Sequence, residues 1–260
     1  MIHKTAIVHK KAKISKNVEI GPYSIVGPEV EIDENTIIHS HVNLTGNTKI
    51  GKNNQIFPFS SIGTPPQDLK YKGEKNFLVI GNDNKFREYV NINPGTEQGG
   101  SLTSIGDGNL FMVYCHVAHD CQISNNIVLA NNVQVGGHVT IEKNAIVGGS
   151  CAIHQFSRIG ESAMIGGMTG VLSDVIPYGL SMGNRNNLMG LNLIGLRRSK
   201  VSNDDIKIIQ LAYETIFKTP SFRKNIEELN NDFKENEFVK KILNFINSDK
   251  KRPISLPPNK

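Results

Sequence analysis

Residues 123–147 read Ile123-Ser-Asn-Asn-Ile-Val-Leu129-Ala-Asn-Asn-Val-Gln-Val135-Gly-Gly-His-Val-Thr-Ile141-Glu-Lys-Asn-Ala-Ile-Val147. An aliphatic residue returns at every sixth position. Working outward, the series runs back through Val117 and Phe111 to Ile105, and on through Ile153, Ile159 and Ile165 to Val171. One phase slip earlier it runs from Ile2 through Val8, Ile14, Ile20, Val26, Ile32, Ile38, Leu44, Ile50 and Ile56 to Ile62, then resumes at Ile80, Phe86 and Ile92. Neither an α-helix, with period 3.6, nor a half-buried strand, with period 2, repeats in sixes. A hexapeptide β-solenoid does, each hexad being one short face and three faces one coil of about 18 residues. The aliphatic residue points into the prism, and Gly and Asn are expected at the corners, where positive φ is cheap for them. Residues 2–171 then make roughly nine coils, stacked about 4.8 Å apart.

Two interruptions predict extruded loops. Between Ile62 and Ile80 the pattern positions are Asp68 and Glu74, and Thr64-Pro65-Pro66 cannot join a ladder, so residues 64–76 leave the prism. Between Ile92 and Ile105, Pro94-Gly95 and Gly99-Gly100 predict a second loop near 94–103. Loops on a rigid scaffold commonly carry function. After Val171 the hexads fade. From Ser202 the period becomes helical, opened by a Ser202/Asp205 capping box, with further helices expected over 226–233 and 238–246. The reading is an all-β hexapeptide-repeat parallel β-helix over 1–190 and a C-terminal α-helical domain over 191–260. The proline-bearing tail 250–260 is expected to fray.

Composition narrows the class. The 260 residues have no apolar run long enough to span a bilayer, and Met1-Ile-His-Lys opens no secretory signal. Three cysteines without CxxC spacing fit a reduced, cytoplasmic protein without a structural zinc site. The net charge of +5 lies wholly on residues 192–260. A basic face of that kind suits an acidic partner, or is a solvated helical surface.

In an 18-residue coil His119, Gly137 and Gln155 stack as one column, with His138 and His154 one position to either side and His116 half a hexad away. His119 is not at an aliphatic position, so it should face out of the prism. Clustered imidazoles with a carboxylate next in sequence, Asp120, are what general acid–base work uses; the carboxylate would hold the tautomer. Gly137 would let a backbone N–H approach an oxyanion. Three histidines in space are also a zinc site, as in β-helical carbonic anhydrases, and a non-catalytic binding solenoid is a further alternative.

The motifs Gln67-Asp-Leu-Lys70-Tyr71, His116-Val-Ala-His119-Asp120-Cys121, Leu129-Ala-Asn-Asn132, Gly137-His138, His154-Gln155-Phe156 and Leu191-Asn-Leu-Ile-Gly195 resemble, in order and over nearly the whole chain, the UDP-N-acetylglucosamine 3-O-acyltransferases of lipid A biosynthesis. The resemblance implies a left-handed β-helix and a cytoplasmic homotrimer with active sites between neighbouring helices. It implies transfer of a 3-hydroxyacyl chain from acyl carrier protein to the glucosamine 3-position, with no cofactor, metal, nucleic acid or transmembrane segment involved. Carried over residue by residue, His119 is the general base, Asp120 its orienting partner and Gly137 the oxyanion donor. Lys70 meets the nucleotide phosphates. Gln67, Asp68, His116 and His138 line the substrates, as do His154, Gln155, Asn192 and Arg198. Met164 and Gly167 lie by the distal end of the acyl groove. The chain departs from the pattern at Asn93, where many relatives have histidine, and at Ile194, where many have glutamate. A 3-amino sugar acceptor is therefore an alternative. So is the later N-acyltransferase of the pathway, which normally carries an extra N-terminal uridine-binding domain; hexads beginning at Ile2 argue against it.

Overall fold

The computed structural model describes residues 1–249 and 251–258. The hexads fold as their period requires. Two-residue strands form three parallel sheets, the faces of one prism. The first face has nine strands from Ile7–Val8 to Gly170–Val171, and the second has eight from Lys13–Ile14 to Arg158–Ile159. The third has ten, starting at Glu19–Ile20, and ends in an antiparallel pair, Gly179–Met182 with Asn187–Leu191. Register is in step: Val117 pairs with Val135 and Val135 with Ile153. Every aliphatic pattern residue from Ile20 to Val171 is buried in a single core. One inward side chain per face, repeated at strand spacing, fills the prism.

One corner meets the expectation and one departs from it. Between the second and third faces Asn17, Asn35, Asn53, Asp83, Asn126 and Asn144 adopt positive φ, as Asn and Asp do readily. Between the third and first faces the same conformation is held by Tyr23, His41, Phe59, Tyr89 and Tyr114. A left-handed non-Gly residue costs roughly 1–2 kcal/mol. Here each ring lies on the next, with centroids 4.7–5.1 Å apart. An aromatic pair contributes about 0.5–1.5 kcal/mol beyond area burial, so the ladder offsets much of the strain.

Both loops leave from the remaining corner, between the first and second faces. The first follows Ile62 and ends at Phe77. The second follows Ile92 and contains one 3-10 turn, Glu97–Gly99. It is shorter than 94–103, because Leu102 and Thr103 already belong to the strand Leu102–Ile105, paired with Phe77–Ile80.

The C-terminal part has five helices: α1 (Leu193–Arg198), α2 (Asn203–Ile216), α3 (Phe222–Glu227), α4 (Asn231–Glu235) and α5 (Glu237–Ser248). Ser202 caps α2 by accepting from Asp205 N–H at 3.0 Å. The helix expected over 226–233 is instead α3 and α4, broken at 228–230. Their apolar stripes close over Ile176, Tyr178 and Leu188 at the end of the prism. The tail does not fray within residues 251–258. Arg252 Nε donates to Asp174 at 2.9 Å, Asp174 also receives Arg158 Nε at 2.7 Å, and Ile254 and Ser255 are buried. The buried Asp174 carboxylate, met by two guanidinium groups, pins the chain end against the last coil. Lys250, Asn259 and Lys260 lie outside the described residues. No helix among the described residues is long and apolar enough to cross a membrane.

Candidate active site

The corner that extrudes both loops also carries His119 and Asp120. His119 points out of the prism, as its position in the hexad requires, yet it is only 5% exposed. The ring lies against Gly137, His138 and Asp120, and the second loop roofs Asp120. Thr96 N–H donates to Asp120 Oδ1 at 2.8 Å and Thr96 Oγ1–H to Oδ2 at 2.6 Å. A Cβ on Gly99 would lie 2.0 Å from Asp120 Cγ, so only glycine allows the 3-10 turn to seat so closely. Asp120 itself has φ 61°, and its N–H donates to Thr103 Oγ1 at 2.8 Å. This corner conformation turns the carboxylate back beneath the loop.

Oδ2 of Asp120 lies 2.7 Å from His119 Nδ1. An ionised carboxylate only accepts, so Nδ1 carries the proton and the neutral ring presents Nε2 as a lone pair. Burial alone would raise the Asp120 pKa. Hydrogen bonds from His119 and from the Thr96 side chain and N–H more than offset it, and the pKa is lowered. The carboxylate therefore stays charged.

His138, one coil on, meets His119 edge to face, with centroids 5.1 Å apart, and stacks on Phe156 at 4.4 Å. Its Nε2 is 3.7 Å from Asp120 Oδ2. Burial lowers its pKa more than the Asp120 charge raises it, so it is neutral near pH 7. His116 is also lowered, chiefly by burial. Its Nδ1 lies 2.8 Å from Asn91 Oδ1, while Asn91 Nδ2 donates to Ser61 O. Gly137 is buried against the His119 ring: a Cβ there would lie 2.6 Å from Cε1 and 2.8 Å from Nε2. Its N–H makes no hydrogen bond among the described residues.

His119, Asp120 and His138 also offer three ligand atoms within 4.8 Å of one another. Nδ1 of His119 and Oδ2 of Asp120 are not both ligands of one ion in this arrangement. Two ligands of one tetrahedral zinc sit about 3.3 Å apart, given bonds of about 2.0–2.1 Å; Nδ1 and Oδ2 at 2.7 Å share a proton instead.

The remaining residues singled out in the sequence scatter. Lys70 Nζ donates to Gln98 Oε1 at 3.3 Å across a polar cavity of about 400 Å³ between the two loops, which Asp68 and Thr96 also line. Gln67 is exposed on the first loop. Asn93 is 1% exposed and faces no open surface: its Nδ2 donates to Thr64 O and Pro65 O, tying one loop to the other. His154 and Gln155 are exposed, with His154 Nδ1 on Gln155 O, and do not join the His119 cluster. Asn192 caps α1, accepting from Gly195 N–H and donating to Ser162 O. Arg198 and Ile194 are exposed on α1. Met164 is on the third face, and Gly167 on the exposed turn that follows it. That face is opposite the His119 corner. Thr96 and Asn91 carried no motif that would have marked them; only the fold brings them to Asp120 and His116.

Residues 11–46 match the bacterial transferase hexapeptide family, and residues 174–255 match the family described as UDP N-acetylglucosamine O-acyltransferase, domain 2. A protein of Aliarcobacter butzleri named acyl-[acyl-carrier-protein]–UDP-N-acetylglucosamine O-acyltransferase is 47% identical over 252 residues, 96% of either chain. One of the same name from Thermodesulfovibrio yellowstonii is 45% identical over 251 residues, 96% of this chain and 97% of its own. The chain belongs to this acyltransferase family. A crystal structure of a UDP-N-acetylglucosamine acyltransferase superposes with a TM-score of 0.95 at 44% identity, covering both chains fully. An Acinetobacter baumannii structure gives 0.92 at 41% identity, covering 97% of this chain and 99% of its own. The family's left-handed parallel β-helix with a helical C-terminus is thus the fold of this chain, and membership removes the carbonic anhydrase reading.

Proposed function

We propose that the chain moves a 3-hydroxyacyl group from acyl carrier protein to the glucosamine 3-hydroxyl of UDP-N-acetylglucosamine, with His119 as general base, in lipid A biosynthesis. The observation that carries this reading is the fixed tautomer: Nδ1–H is held by Asp120, so Nε2 is left as the base, on a ring that lies against Gly137. Nε2 takes the acceptor's hydroxyl proton as its oxygen attacks the thioester carbon. The carbonyl oxygen gains the negative charge beside the unpaired Gly137 N–H. Collapse breaks the C–S bond, and the imidazolium returns its proton to the carrier's departing thiolate. The cavity between the loops, with Lys70 at its edge, suits the diphosphate. Purified chain supplied with both substrates should form an O-acylated nucleotide sugar whose ester is cleaved by mild base. No transfer defeats the proposal. A base-stable amide made only from a 3-amino sugar nucleotide would move it to that acceptor, which Ile194 and the internally committed Asn93 also fit.

The working unit proposed is a homotrimer. The second face is charged outward, with Lys13, Glu31 and Lys49 in ion pairs, and suits water. The aromatic corner is the opposite case: Tyr23, Phe59, Tyr89 and Tyr114 are 44–61% exposed, beside a third face presenting Leu110, Val128 and Ile146. An apolar edge of this kind, interrupted by His41, Gln55 and Lys85, asks for cover, and side-by-side copies provide it. Met164, Gly167, Asn192 and Arg198 stand away from His119 within one chain, and a neighbour would bring such residues to it. Light scattering should give three times the 28.7 kDa chain mass, and Tyr114→Glu should lower it. A monomer at micromolar concentration would remove the trimer.

A further inference from the structure

We propose that Thr96 is a positioning residue for the reaction, acting through Asp120 on His119. The inference rests on the reading of His119 as base. A buried carboxylate beside an imidazole has two oxygens and several lone pairs, and so several ways to hold the ring. Thr96 removes that freedom. Its N–H occupies Oδ1 at 2.8 Å and its hydroxyl occupies Oδ2 at 2.6 Å, leaving Oδ2 one further direction, which His119 Nδ1 takes at 2.7 Å. Both Thr96 and Asp120 are buried, so water does not substitute for either donor. The loop is braced to deliver them: Ser101 N–H and Gly99 N–H both donate to Thr96 O, at 2.7 and 3.0 Å, and Asn93 ties the loop's base to the first loop. Twenty-four residues separate Thr96 from Asp120, so the contact is a product of the fold.

The hydroxyl also sets how much negative charge faces the imidazole. A donor on Oδ2 disperses that charge. Without it the carboxylate draws the Nδ1 proton and any imidazolium more strongly, and the base becomes easier to protonate. The other titratable groups around the ring are His138 and His116, and, from the first loop, Asp68 and Lys70, whose charges are felt at His138. Thr96→Val leaves all of these in place.

Two readouts on the full-length protein test the assignment. Thr96→Val should lower kcat about tenfold, with KM for the nucleotide sugar nearly unchanged, and should move the acidic limb of kcat/KM to higher pH. Thr96→Ser should restore both. In parallel, the His119 imidazole titration followed by NMR should move to higher pH in Thr96→Val. That readout does not depend on catalysis, so it separates a failure of the Thr96 assignment from a failure of the base assignment, which His119→Ala tests. If Thr96→Val does not fold, Thr96→Ala is read in the same way. An unmoved NMR midpoint and acidic limb overturn the proposal, whatever happens to thermal stability. A raised KM at native kcat also overturns it, because Thr96 would then be a substrate contact.

Discussion

His119→Ala should lower kcat by about 10²–10⁴, the usual worth of a positioned general base, while KM for the nucleotide sugar changes far less. Nε2 is the one lone pair in the cluster whose tautomer is fixed by a buried carboxylate. His138 is neutral near pH 7, but no carboxylate hydrogen bond fixes it: its Nε2 is 3.7 Å from Asp120. It cannot replace the lost base. His116 is committed to Asn91. The fold should survive, since Asp120 keeps both Thr96 donors. The lost hydrogen bond and the vacated space should cost about 1–3 kcal/mol, seen as a few degrees in Tm. That exceeds what a surface histidine would cost, because this one is buried. The wild-type rate should fall on acidification as Nε2 takes a proton and the base is lost. Native kcat in His119→Ala, with trimer and fold intact, would remove it from the role.

The hexad fixes one inward residue per face, so coils, register and core were legible in the sequence before any coordinate. The loops were legible because Thr64-Pro65-Pro66 and Gly99-Gly100 cannot continue a ladder. Other features depend on contacts that no local pattern carries. Aromatic residues at left-handed corners run against propensity, and only the ring above and the ring below compensate. The docked tail is held by Asp174, which lies 78 residues before Arg252. His119 next to Asp120 marked a base and its partner at once, but the donors that hold Asp120 come from a loop 24 residues earlier. Asn93 stands where many relatives have a histidine, and sequence does not say which way an amide turns; the structure turns its Nδ2 to Thr64 O and Pro65 O. A family motif thus locates a position more securely than it assigns the side chain's contacts.

Gly137→Ala should lower kcat by about a hundredfold or more, although it adds only one methyl group and removes no titratable atom. The backbone at Gly137 is not left-handed, so alanine meets no dihedral penalty there. The obstacle is the ring. The new Cβ would stand 2.6 Å from His119 Cε1, 2.8 Å from Nε2 and 3.1 Å from Nδ1. Real carbon contacts do not close to that distance, so something must move. Asp120 is pinned by Thr96, and the Gly137 backbone is fixed because its carbonyl accepts from Phe156 N–H at 3.0 Å. The imidazole is the softer part, and it tilts. A tilt either stretches the 2.7 Å bond to Asp120 or swings Nε2 off the acceptor, and misplacement by about 1 Å can cost 10²-fold. A double-mutant cycle separates this clash from a direct role of residue 137. Once His119→Ala has removed the ring, the methyl group has room, so Gly137→Ala should cost almost no further stability or rate in that background. A further loss there would mean that the methyl group blocks the thioester from the Gly137 N–H. Native kcat for the single variant would show that the ring yields without consequence, and Gly137 would lose its place in the site.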